Sequence, residues 1–297
     1  MIRIIGFLKV LIVFLLDFFI IFCLTGSAFP AAAIIGGMAL YVLLGGYLTL
    51  IREGAVRFDK LPDYEKNILN DCRIQLTEDV KRCSSVDIIG LKLYLIPESD
   101  ELQASSYGAC CISVTRGILS CTDPVTLNAV LAHEISHALN FDAEFRRAVF
   151  CSLILLLGAF SVISAIVVFA IFLIFLLFRG FCHWLGIVIF QKMKKASGGI
   201  FRLIQKMIVG LYHFLIGLAS RHAEYRSDKY SCMLGYGLQL AYFLRIADRD
   251  SHQQLTWGDI LYRSHPPIQK RIARLEKYYK YKSEKSVEVR RQMDDER

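Results

Sequence analysis

From Val149 to Phe178 thirty consecutive residues carry no formal charge. Such a run exceeds the ~20 residues a helix needs to cross a bilayer, so it predicts a span that is tilted, bent or extended beyond the lipid. Two more apolar stretches, Ile4–Leu24 and Ala31–Ile51, are joined by the uncharged turn Thr25-Gly26-Ser27-Ala28-Phe29-Pro30 and predict a transmembrane hairpin. A fourth, Ile200–Ala219, contains Arg202, Lys206 and His213, so an amphipathic helix lying in the interface is the alternative to a span there. Composition agrees: 55% of the 297 residues are hydrophobic and the mean hydropathy is +0.43, too apolar for an ordinary soluble domain.

The first stretch follows Arg3 and Lys9 as a signal peptide would, but no small-x-small site is followed by a polar start and a second apolar segment comes at once. An uncleaved anchor is expected. Lys9 lies near enough to the start of its span to snorkel toward the headgroups, and Asp17 within the same span is expected to pair inside the bundle or face a polar cavity. Arg3 and Lys9 precede the first span, Arg52, Arg57 and Lys60 follow the second, and the turn between has no Lys or Arg. Both ends of the hairpin, and the polar chain after it, should therefore be cytoplasmic. Nine cysteines, odd in number and without a CxxC pair, fit a reducing compartment. The basic residues Arg179, Lys192, Lys194 and Lys195 would also prefer the cytoplasm, which leaves two arrangements for 149–219: two full crossings, the favoured reading, or a hairpin over 149–190 with 191–219 on the anionic leaflet.

Outside the spans, residues 52–148 and 220–297 are enough for one domain with a real core, interrupted by a membrane insertion at 149–219 and preceded by the hairpin at 1–51. Leu91–Ile96 alternates like a strand, Pro97-Glu98-Ser99-Asp100 reads as a turn, and Ala109–Thr115 reads as a second strand. A helix is expected over Tyr64–Leu76, another over Asp228–Ala247 broken at Gly235 and Gly237, and a last one after Pro266-Pro267. The net charge of +8 lies largely in the span connection and near membrane ends, so a lipid bilayer rather than nucleic acid is the expected partner. Lys277–Arg297 reads as a frayed helix and solvated tail, and no feature specifies an oligomeric state.

The chemistry is concentrated in His133-Glu134-Ile135-Ser136-His137. The preceding Pro124–Ala132 has apolar residues at helical spacing, and Asp123 before Pro124 suits an N-cap. On a helix, four residues are a little more than one turn, so His133 and His137 share a face and can hold a metal, with Glu134 placed as a base. The bland alternative is the polar face of an amphipathic helix. A catalytic metal needs a third protein donor. The extended metzincin pattern is excluded, because Asn140 and Ala143 stand where it requires Gly and His. Glu224, with Asp228 one turn on, is the best candidate, and Asp228 would orient a ligating imidazole by hydrogen bonding. The alternative is a salt-bridged surface helix with Arg221 and Arg226 as partners.

Taken together, His133-Glu134-Ile135-Ser136-His137, Ser220-Arg221 with Glu224 and Asp228, and Ser264-His265-Pro266-Pro267 with Arg271 resemble the HtpX-type branch of the membrane-embedded zinc metallopeptidases, which is related more distantly to the CAAX-prenyl endopeptidases. The order of these pieces, the apolar insertion and the leading hairpin extend the resemblance over nearly the whole chain. It implies a mainly helical α+β fold, with about four transmembrane helices and a zincin-like catalytic domain carrying a small β-sheet. It also implies one zinc ion held by His133, His137 and Glu224, Glu134 as base, and His265 and Arg271 helping to hold substrate or the oxyanion. The implied role is quality control of damaged membrane proteins. Relatives usually show Asn-Ala-Phe or Asn-Ala-Tyr where this chain has Leu102–Gly108. A peptide substrate is expected to add as a strand beside residues 109–115. The competing classes are a CAAX-type processing peptidase, which needs more spans enclosing a chamber, and a non-catalytic membrane scaffold, which needs neither Glu134 nor Glu224.

Overall fold

A computed structural model describes residues 2–83, 90–108, 111–178, 183–250 and 266–280. Eight α-helices are bounded as α1 Ile2–Thr25, α2 Ala28–Arg52, α3 Asp63–Cys83, α4 Arg116–Cys121, α5 Pro124–Leu139, α6 Asp142–Phe178, α7 His183–Met233 and α8 Gly237–Asp250, and residues 268–280 form a further helical run. The strands are β1 Val56–Arg57, β2 Lys92–Ile96, β3 Ala104–Gly108 and β4 Cys111–Thr115. Contacts divide the chain into one unit of Met1–Ala148 with Gly217–Arg297 and another of Val149–Ile216.

Helices α1 and α2 pack on each other yet leave Leu15, Phe19, Leu43 and Leu48 more than half exposed. An exposed apolar surface of this extent suits lipid, not water. Among the described residues, four helical stretches are long and apolar enough to cross a membrane: Arg3–Thr25, Ala28–Arg52, Asp142–Leu176 and Gly198–Met233. The last lies within one unbroken helix rather than a separate segment. Asp17 is buried at 5% exposure.

The sheet order is β1-β2-β4-β3, with β2 and β4 parallel and both outer pairs antiparallel. This corrects one expectation. Residues 111–115 are hydrogen-bonded on both sides, so no peptide can add there; the outer strand is β3, from the Ala104-Ser105-Ser106-Tyr107-Gly108 stretch that lacks a strand-like apolar pattern. Residues 109 and 110 lie outside the described residues.

Helix α5 starts where Asp123 accepts hydrogen bonds from the Val125 and Thr126 N–H groups at 2.9 and 3.0 Å, with Pro124 in the first turn. It packs against α3, α8, β3 and β4, and nearly all its residues are buried. Leu127, Leu131, Ile135 and Leu139 form a stripe at most 1% exposed. Removing each such side chain from water contributes about 1.5–3 kcal/mol, so the motif helix is fixed by the main core. Cys23, Cys72, Cys83, Cys111, Cys121, Cys151 and Cys232 are free thiols; Cys110 and Cys182 lie outside the described residues. Burial pushes the Cys72 thiol up to about 11, so it behaves as an inert core side chain.

Candidate metal centre

His133 and His137 project from the same face of α5, their rings edge to face with centroids 4.9 Å apart. Glu224 arrives from α7, the part of which after Gly217 belongs to the same unit as α5. Ser227 and Ser231 are fully buried, and Ser231 Oγ donates to the Ala129 carbonyl at 3.1 Å, so small residues let the two backbones approach closely. The surface-helix alternative for this segment is thereby removed, since Glu224 is only 4% exposed and Asp228 only 3%.

Two imidazole nitrogens and one carboxylate converge. His133 Nε2 lies 3.2 Å from His137 Nε2 and 3.4 Å from Glu224 Oε2, and His137 Nε2 lies 3.6 Å from Glu224 Oε1. Ligands bonded at ~2.0–2.1 Å in a tetrahedron stand roughly 3.3 Å apart, so the two imidazole nitrogens and the Glu224 carboxylate, at these separations, fit a metal such as zinc. It is also the group among the described residues whose donors come close enough to share an ion. Glu134 is half-buried beside the pair.

The far side of each imidazole is held by a carboxylate. His133 Nδ1 is 3.0 Å from Asp228 Oδ1, as expected for an orienting partner. His137 Nδ1 is 2.9 Å from Asp142 Oδ2, at the first turn of α6. Sequence reasoning missed Asp142, five residues past His137 and across a helix end, where no helical spacing rule applies. Asp142 is also paired with Arg226, and with Lys9 Nζ of α1 at 3.3 Å. Lys9 therefore turns inward to a buried carboxylate, over the Phe145 ring, instead of snorkelling to headgroups.

Arg271 is buried at 7% exposure. Its Nε and Nη2 donate to the Asp228 oxygens at 2.9 and 2.6 Å, and Nη1 lies 2.9 Å from Glu224 Oε2. The guanidinium thus neutralises two buried carboxylates in a forked geometry that Lys cannot reproduce. Burial disfavours a charged His133, but hydrogen bonds to Asp228 and Glu224 outweigh it and push its pKa up to about 9. A metal taking Nε2 displaces that proton. A cavity of about 410 Å³ opens against His137 and Glu224, with Phe145, Leu218, Ala219 and Ala223 in its wall, large enough for a side chain. His265 lies outside the described residues.

The sequence pattern of peptidase family M48 matches residues 75–279, which include His133, Glu134, His137, Asp142, Glu224, Asp228 and Arg271. The chain belongs to peptidase family M48. It is similar to Protease HtpX of Xanthomonas oryzae pv. oryzae (strain MAFF 311018), 26% identical over 223 residues that cover 67% of this chain and 70% of that protein. It is also similar to Protease HtpX of Pasteurella multocida (strain Pm70), 25% identical over 307 residues, 95% of this chain and 100% of that one. The crystal structure of S. mikatae Ste24p aligns at a TM-score of 0.41 and 20% identity, over 86% of this chain and 65% of that chain. With its four apolar helices, this M48 chain of HtpX type is a multi-pass membrane metallopeptidase that acts on a protein or peptide.

Proposed function

We propose that the chain is a zinc-dependent endopeptidase that cuts misfolded or damaged membrane proteins on the cytoplasmic side of the inner (plasma) membrane. The observation that carries the reading is the convergence of two buried imidazoles and one buried carboxylate at 3.2–3.6 Å. Zinc bound there supplies a Lewis acid and acidifies water. Glu134 takes the proton from the attacking water and returns it to the leaving nitrogen. Asp228 and Asp142 keep both Nε2 atoms aimed inward, and Arg271 holds Glu224 and Asp228 in place. His265, three residues before the helical run bearing Arg271, remains the candidate to contact substrate. The cytoplasmic placement is supported by Arg52 at the end of α2, by Arg57 and Lys60 beyond it, and by the absence of Lys and Arg between α1 and α2.

Substrate binds extended along the outer edge of β3, where main-chain hydrogen bonds grip without demanding a sequence. That tolerance suits a quality-control role. The chain is organised as a hairpin (1–51), a catalytic domain in two parts (52–148 and 220–297) and a membrane insertion (149–219). The test is Glu134→Gln in detergent, with casein cleavage, self-cleavage and zinc content measured. One zinc per chain with cleavage abolished is expected; unchanged cleavage contradicts the assignment.

A further inference from the structure

The first membrane helix reaches the metal centre, and three independent contacts show how. Gly6 of α1 lies so close to the turn after α5 that a Cβ there would stand 2.6 Å from the Asn140 carbonyl oxygen. Phe7 packs edge to face on Phe141, ring centroids 6.5 Å apart, and Phe141 holds a φ of 56°, uncommon for a bulky residue. One turn further, Lys9 Nζ meets Asp142 Oδ1 at 3.3 Å while the other oxygen, Oδ2, faces His137 Nδ1 at 2.9 Å. Asp142 is thus held from two sides, by Lys9 of α1 and by Arg226 of α7.

We propose that Lys9 is a positioning residue for the metal: by fixing the rotamer of Asp142 it fixes the ring of His137, so the membrane anchor is a working part of the zinc site. This rests on the reading that His133, His137 and Glu224 hold zinc. Arg226 and His137 share one oxygen of Asp142, Oδ2, whereas Lys9 holds the other, Oδ1, and so sets the tilt of the carboxylate about the shared oxygen; without Lys9 the carboxylate can turn about Oδ2 and the His137 ring loses its fixed direction. Partners that hold a ligating imidazole typically account for about 10–100-fold in metal affinity. Lys9, one contact further out, should account for the lower end, about tenfold.

The experiment uses the full chain in detergent and reads the metal, not cleavage. Zinc affinity is measured by chelator competition, and the visible spectrum of the cobalt-loaded protein reports ligand geometry. Lys9→Met should weaken zinc about tenfold and alter the cobalt bands, with Lys9→Arg restoring both. Ile21→Ala, which removes a buried side chain near the other end of α1, controls for loosened packing and should lower the melting temperature without moving zinc affinity. Wild-type affinity in Lys9→Met, or an equal loss in Ile21→Ala, overturns the inference alone. A wild-type chain that binds no zinc overturns the metal reading and this inference with it. If Lys9→Met does not fold, Lys9→Gln is measured against the same two outcomes.

Discussion

Replacing Arg271 by Met removes a guanidinium that contacts both Asp228 and Glu224, while keeping a side chain of similar length in a helical run. The structure sets the size of the effect. Both carboxylates are less than 5% exposed, so neither gains water when its cation disappears. Breaking a buried ion pair from one side costs about 3–5 kcal/mol. For a folded unit of 150–250 residues each kcal/mol moves the melting temperature by about 2–4 °C, so a fall of roughly 6–20 °C is expected. The fall should be larger after chelation, because a bound divalent ion beside Glu224 offsets part of the missing charge. Thermal unfolding of the detergent-solubilised chain, at one scan rate, with zinc and with chelator, measures both. Adding Asp228→Asn removes the stranded charge, and the double variant should lose several degrees less than the sum of the single losses. A chelated Arg271→Met within about 2 °C of the parent, or a double variant that is simply additive, refutes the buried ion-pair account.

Other expectations follow from single contacts. Gly46→Ala on α2 drives a Cβ into the Tyr107 backbone carbonyl, so despite a gain in helix propensity it should destabilise by about 1–3 kcal/mol in a melting assay. Asp123→Ala should cost about 1 kcal/mol by uncapping α5, whereas Asp123→Asn keeps the cap. Hydrogen bonds from Thr126 hold the Asp123 carboxyl below its ordinary range. Its contribution is therefore present above the unfolded value of ~3.9 and lost as pH falls through the lower folded value, a loss absent from Asp123→Asn in acid titration followed by circular dichroism. Chelation should lower the melting temperature of the parent and leave Glu224→Ala unmoved, and equal shifts in both would remove Glu224 from the metal.

How much of this was legible in the sequence depended on the range of each interaction. The α5 start, its two histidines and the Glu224–Asp228 pair follow local rules of capping and helical spacing, and the structure caps α5 at Asp123 and brings these four side chains together. Helix α6 begins seven residues before the expected span because Ala148 packs with Val10 and Val42, a tertiary contact that extends the helix toward the motif. The place of β4 was not legible, since alternation reveals a strand but not whether it has one neighbour or two. Lys9 and Asp142 are 133 residues apart, and nothing short of the fold brings a charge at the edge of a membrane segment to the back of a ligating imidazole.

The tight fit of Gly46 on Tyr107 bears on which chains the peptidase can reach. Gly46 is six residues before the end of α2, roughly 9 Å along its axis, and Arg147 bridges the same place by donating to the Val42 and Tyr107 carbonyls at 3.1 and 3.0 Å. With backbone against backbone there is no slack, so the height of the outer strand is set by the depth at which α2 sits in the lipid. On the proposed binding of substrate along β3, a polypeptide emerging from the bilayer would meet that ledge within its first few extended residues, whereas a folded protein in free solution would have to be drawn down to it.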